Sequence, residues 1–171
     1  MKNRQVLFSA LLSLGVRSIG ALAALIFSIF LTRKYGPDVS GLFFLTFSVL
    51  SLASVFGSMG LENTLLRFIG SSSSAGEWKV ANEVMSKSLL LVFCSSLLLC
   101  GFFYFAASFV AVDIFGDKRL EDYFRVMSPF IFLLSVSAII AMGLQGRHKT
   151  LQSVFILNVS TNSIMVAFIF F

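Results

Sequence analysis

Apolar residues run along this chain in unbroken stretches. Residues 39–61, 88–112, 126–146 and 150–171 each pass without a charged side chain. Each exceeds the roughly 18 residues that mark a candidate membrane-spanning helix. A fifth stretch, residues 5–32, carries one charge, Arg17, near its middle. As a helix it would reach about 42 Å at ~1.5 Å per residue, against a hydrocarbon core of ~30 Å. The pattern predicts an all-α, polytopic membrane protein: one membrane domain over 1–171 with about five transmembrane helices. The expected spans are about 5–32, 39–66, 88–112, 123–146 and 150–171. Barrel strands are excluded, because they alternate apolar and polar positions.

Polar positions inside these runs fall at helical spacing. Ser9, Ser13, Arg17, Gly20, Ala24 and Ser28 follow at steps of three and four, one small-and-polar stripe on the first span. A midspan arginine costs on the order of 2.5–3.5 kcal/mol to insert, so its position points to a use. The second span carries Ser48, Ser51, Ser54 and Ser58 with Gly57 and Gly60 beside them. Such residues let helices approach closely in lipid, and the alternative is a polar cavity wall. At the end of this span Glu62, Asn63 and Arg67 cluster, with Asn63 and Arg67 on one face. Asn158 and Asn162 share a face in the fifth span. They are candidates for hydrogen bonds between helices or for substrate contacts.

The connections have their own signals. Gly36 and Pro37 predict a tight turn that makes the first two spans antiparallel neighbours. Residues 71–74 read as flexible, and 75–87 as a short interfacial helix opened by a Ser74/Glu77 capping box. Its apolar side is Trp78, Ala81, Val84 and Met85, and Glu83 pairs with Lys87. Pro129 should bend the fourth span.

Composition narrows the function. The chain has 171 residues, 57% hydrophobic and only 12% charged, where soluble domains carry about a quarter charged. No segment is long enough for a soluble domain, so any function lies within the membrane. There is no phosphate-binding loop of the GxxxxGK[ST] type. The +5 net charge is scattered between spans, which excludes a nucleic-acid partner. Cys94 and Cys100, six apart in one apolar run, suit neither a metal site nor a disulfide. His148 belongs to a short basic loop. No cofactor, metal or catalytic residue is expected. A membrane glycosyltransferase or polymerase would need acid/base groups and a sizeable soluble loop, so the chain does not read as an enzyme.

Basic residues set the orientation. With a cytoplasmic N-terminus the inner segments hold seven (Lys2, Arg4, Arg67, Lys79, Lys87, Arg147, Lys149). The outer segments hold five (Arg33, Lys34, Lys118, Arg119, Arg125). Arg17 interrupts the first apolar run, which continues past Ala21-Leu22-Ala23, so an uncleaved span is expected rather than a signal peptide. The apolar C-terminal run without a polar flank reads as a truncation.

Three motifs carry a family resemblance. Gly36, Pro37, Gly41 and Phe43 match a G-P-x-x-x-G-x-[FY] turn into a second span. Gly60, Leu61, Leu65, Arg67 and Phe68 match a G-L-x-x-x-L-x-R-F-like exit from it, and residues 143–150, GLQGRHKT, an L-Q-G-x-x-[RK] exit from a fourth. In these, and in span count and loop lengths, the chain resembles the polysaccharide flippases of the multidrug/oligosaccharidyl-lipid/polysaccharide exporter superfamily. The resemblance implies two six-helix bundles around a cavity, this chain supplying most of the first. It implies flipping of an undecaprenyl-pyrophosphate-linked oligosaccharide across the bacterial inner membrane, for O-antigen or other surface polysaccharide, amid membrane lipids and other polysaccharide-assembly membrane proteins. It also implies cavity arginines that meet the pyrophosphate, a role Arg17 fits by position.

The residues add one independent point. None of the eight acidic residues lies in an apolar run, so Arg17 has no carboxylate partner there. Its partner is then backbone and water, an acid elsewhere, or an anionic ligand. The candidate substrate-binding residues are Arg17, Ser13, Glu62, Asn63, Arg67, Asn158 and Asn162. Two readings compete: a cation-coupled multidrug exporter of the same fold, which usually needs a membrane carboxylate, and a non-transporting membrane subunit.

Overall fold

The computed structural model describes residues 2–147 and 149–169, with side chains from Leu14 to Thr161 apart from His148 and Val159. The described residues contain helices and no strand. They run as α1 (Lys2–Gly57), α2 (Leu61–Ser74), α3 (Trp78–Phe105), the single turn α4 (Ala107–Phe109), a π-helical turn (Val110–Ile114), α5 (Leu120–Met127), α6 (Pro129–Gly146) and α7 (Thr150–Ile169). Three described stretches are long and apolar enough to cross a membrane: Leu14–Gly57, Trp78–Phe105 and Pro129–Gly146. The protein is thus an all-α polytopic membrane protein.

The first stretch contains a reversal. Gly36 stands at φ 86°, ψ 168°, outside helical geometry, and Pro37 restarts the helix. The Ser40 hydroxyl donates to the Gly36 carbonyl oxygen at 2.6 Å, capping the break. Phe27 and Phe43 pack with ring centroids 5.7 Å apart. A straight helix would separate them by about 24 Å. The two halves of α1 are therefore antiparallel neighbours folded at Gly36.

Two apolar clusters hold the bundle. One joins Phe27, Leu31, Phe43 and Leu50 to Val110, Leu120, Phe124, Met127 and Ile131. The other joins Leu65 and Ile69 of α2 to Val92 of α3 and Ile139 of α6. Pro129 opens α6, so the fourth apolar run is two helices broken at Ser128, with the Ile131 N–H donating to the Ser128 carbonyl. In the loop before α5, Arg119 donates to Asp117 through its guanidinium, as close as 2.7 Å, and through its backbone N–H. The guanidinium first, and the backbone N–H second, hold the Asp117 carboxyl below the usual carboxylate range.

Several local expectations are corrected. The helix expected over 39–66 stops at Gly57. Met59 (φ 53°) and Gly60 (φ 66°) then take left-handed conformations, which turn the chain before α2. Residues 71–74 are the last turn of α2, not a flexible stretch. The Ser71 and Ser74 hydroxyls donate back to the Phe68 and Gly70 carbonyls. That use of Ser74 leaves no capping box, and Glu77 precedes α3 without a side-chain cap bond. Residues 78–87 are the first turns of α3 rather than a separate helix, because nothing in that sequence breaks it. Within them Lys87 Nζ lies 2.7 Å from Glu83 Oε1, and Ala81 is buried while Trp78 is exposed. The helix expected over 88–112 ends at Phe105, where the chain turns through α4 and the π turn.

Candidate functional site

The stripe on the first span faces α7 through its glycine. The Asn158 side-chain amide donates to the Val16 carbonyl oxygen at 3.2 Å. A Cβ built on Gly20 would lie 2.6 Å from Asn158 Oδ1. Glycine at 20 leaves room for the Asn158 side chain in the position it takes. Asn158 thus fastens α7 to α1, beside Arg17. The Arg17 side chain is exposed on the bundle surface, and among the described residues it has no hydrogen bond or ion pair. The side chains of Ser13 and Asn162, the remaining candidates near this level, lie outside the described residues, as does His148.

The second span meets its neighbours at Ser54 and Gly57, while the hydroxyls of Ser48, Ser51 and Ser54 bond back to their own helix. The Ser135 hydroxyl of α6 donates to the Ser54 carbonyl at 2.9 Å. A Cβ on Gly57 would meet Ser135 Oγ at 2.6 Å and Ser96 Cβ of α3 at 3.5 Å. Gly57, Ser96 and Ser135 are all buried, so three helices cross where their residues are smallest. Gly60, by contrast, has open space around it and serves the turn. Ser96 and Ser135 were not legible as contact residues, because a serine in an apolar run does not name its partner.

The Glu62, Asn63 and Arg67 cluster divides in two. Glu62 Oε1 accepts from the buried Ser58 hydroxyl at 2.9 Å. Asn63 and Arg67 line a surface cleft of about 480 Å³ with Thr64, Phe68 and Ser71. Among the described residues no hydrogen bond or ion pair joins this cleft to Arg17.

The exit motif of the fourth apolar run is structural. A Cβ on Gly146 would meet Ile69 Cβ at 3.0 Å and the Leu66 carbonyl oxygen at 3.2 Å. A Cβ on Gly143 would meet Met85 Sδ at 2.6 Å. Both glycines let α2 and α3 close on α6. Arg147, next in the motif, donates to Asn82 Oδ1 at 2.6 Å and ties the α6–α7 connection to α3. No group of His, Cys, Asp and Glu among the described residues is placed to hold a metal ion.

Among the described residues this combination is a helical bundle, with Arg17 exposed and without an ion pair on a long apolar span, and a polar cleft on α2. Arg17 and the α2 cleft present cationic and polar groups on that bundle. Comparison with known proteins agrees in kind. A curated relative, "Stage V sporulation protein B" of Bacillus subtilis (strain 168), is 21% identical over 119 residues. The match takes in 70% of this chain and 23% of that protein, so the chain spans under a quarter of the relative's length there. No solved structure matches. The sequence pattern of the family described as "Polysaccharide biosynthesis protein" matches residues 6–171, nearly the whole length, and the chain belongs to that family.

Proposed function

We propose that this protein takes part in flipping a lipid-linked oligosaccharide, of the undecaprenyl-pyrophosphate class, from the inner to the outer leaflet of a bacterial inner membrane. The observation that carries the reading is Arg17. It lies well inside a long apolar span, exposed on the bundle, with no partner among the described residues. An unpaired cation at membrane depth is costly unless something anionic meets it in use. A pyrophosphate supplies that charge, and Arg17 can meet it with two parallel N–H donors. Asn158, fixed one helix away, offers polar contact at the same level. Asn63 and Arg67 line the α2 cleft. Family membership supports the polysaccharide context. Nothing in the reading calls for covalent chemistry, so the protein acts as a transporter component and not as an enzyme.

The test is the fate of the substrate. Depleting the protein should make the lipid-linked oligosaccharide accumulate in the cytoplasmic leaflet while surface polysaccharide falls. Loss of surface polysaccharide without that accumulation would place the block at synthesis and overturn the flipping role.

The reading includes an orientation, with the N-terminus cytoplasmic as the basic residues suggest. In a Cys94→Ser, Cys100→Ser background, Lys118→Cys should react with an impermeant thiol reagent in intact cells. Lys79→Cys should react only after the membrane is opened. The reverse pattern would invert the protein, putting the Asn63–Arg67 cleft outside.

A further inference from the structure

The second span and α2 meet the same wall with different faces. A Cβ on Gly57 would touch Ser135 of α6 and Ser96 of α3. Beyond the break, Leu65 and Ile69 cluster with Ile139 of α6 and Val92 of α3. Ile139 and Val92 each lie about one turn along from the residues that Gly57 meets. The wall runs on past the break, but the face that meets it changes. A helix unbroken from Gly57 would turn by about 100° per residue. Thr64 and Phe68, seven and eleven positions on, would then stand within roughly 20° of Gly57. Leu65, Ile69 and Ser72 would stand roughly 60–120° away. In the structure those three are buried, and Thr64 and Phe68 are exposed. The break rotates α2 by about a quarter turn.

That rotation is held against the backbone's own preference. Met59 stands at φ 53° and Gly60 at φ 66°. Glycine takes this region freely and methionine does not. Local packing does not explain it. Met59 leaves 57% of its surface exposed, and a Cβ on Gly60 would meet nothing within 4 Å. The turn is closed by backbone bonds, from the Met59 N–H to the Phe56 carbonyl at 2.9 Å and from the Leu61 N–H to the Ser58 carbonyl at 3.0 Å. A strained residue persists only where its surroundings over-determine it. Here that surrounding is the burial of Leu65 and Ile69 against α3 and α6. The other end of α2 is relaxed. Gly76 (φ 78°) closes it, with the Gly76 and Glu77 N–H groups donating to the Ser73 and Ser72 carbonyls. The strain sits at the end that sets the rotation.

We propose that the Met59–Gly60 break is a rotary switch. In its second setting both residues take right-handed geometry and the second span runs on into α2 as one helix. α2 then turns about its axis by about a quarter turn. Thr64 and Phe68 come to face α3 and α6, Leu65, Ile69 and Ser72 leave the wall, and Arg67 swings from the outward face to the flank. Relief of strain favours that setting, and apolar burial favours the one observed. The device changes which side chains α2 shows outside the bundle. It goes beyond the flippase reading and stands without it.

The experiment is disulfide trapping in the full chain, in lipid nanodiscs with copper phenanthroline, on a Cys94→Ser, Cys100→Ser background. The Thr64→Cys, Val92→Cys pair meets only in the rotated setting. The Asn63→Cys, Val92→Cys pair meets in neither. The first pair should cross-link slowly in the otherwise native chain, and the second should not. Gly60→Ala adds a side chain in open space and disfavours only the left-handed backbone. It should speed the first pair by about five- to thirty-fold, the population change expected for one left-handed residue. Met59→Gly relieves the strain of the observed setting, so it should slow the first pair. Added to Gly60→Ala, it should restore most of the native rate. Where Gly60→Ala does not accumulate, the slowing by Met59→Gly decides alone. Equal cross-linking of the two pairs means local unfolding of α2 and overturns the switch. A Thr64–Val92 rate that neither substitution moves, or no cross-link at all, means a fixed break and overturns it too.

Discussion

Arg17→Ala should cut export of the lipid-linked oligosaccharide by about 10- to 100-fold while the protein reaches the membrane at its native level. The range follows from losing a hydrogen-bonded charge contact of about 1.5–3 kcal/mol. Insertion should improve, because a midspan arginine costs on the order of 2.5–3.5 kcal/mol. The two effects have opposite signs, which separates a functional role from a folding one. Arg17→Lys should keep part of the activity. Lysine retains the charge but loses the fork that meets two phosphate oxygens together. The measurement is surface polysaccharide per unit of membrane-localised protein, in cells that depend on it. If Arg17→Ala exports at the native rate, the ligand role is wrong and the guanidinium serves only the bundle.

Gly146→Ala should destabilise the bundle by about 1–3 kcal/mol, the range for overpacking a close contact. Gly143→Ala should cost about 1 kcal/mol or less. The two glycines are three residues apart in one motif, and their surroundings differ in kind. At Gly146 the added carbon meets Ile69 at its β-branch and the Leu66 backbone carbonyl, neither of which can move without moving α2. At Gly143 it meets the thioether end of Met85, which can swing away about three rotatable bonds. Valine at 146 should be worse than alanine. Because α2 carries the Asn63–Arg67 cleft, Gly146→Val should also disturb that cleft without touching it. Thermal unfolding in detergent, with Gly143→Ala alongside, reads the difference. Equal effects at the two positions would mean that α2 adjusts freely against α6.

The class of fold was legible from hydrophobicity. In lipid each backbone polar group must be satisfied within its own segment, so long uncharged runs leave helices as the consequence. The turn at Gly36 was legible too, since Gly-Pro names a break whatever surrounds it. So was the shared face of Asn63 and Arg67, and the pairing of Glu83 with Lys87, because spacing along one helix decides both. Local punctuation misled at residues 71–77. There four serines suggested a loop, but α2 runs through them, and the Ser71 and Ser74 hydroxyls bond back to its carbonyls.

What periodicity cannot supply is the partner of a face. The sequence by itself determined that this protein is a helical membrane bundle with an arginine on a small-residue stripe and no acidic residue in its apolar runs, because those facts are properties of single segments. Only the tertiary structure decided that Ser54 and Gly57 of the second span meet Ser135 and Ser96, that Glu62 accepts from Ser58, that Asn158 lies on Gly20, and that Gly143 and Gly146 seat α2 and α3. Each of these depends on which helices cross and at what height. Chain-distant residues set that through packing, and no spacing within one segment records it.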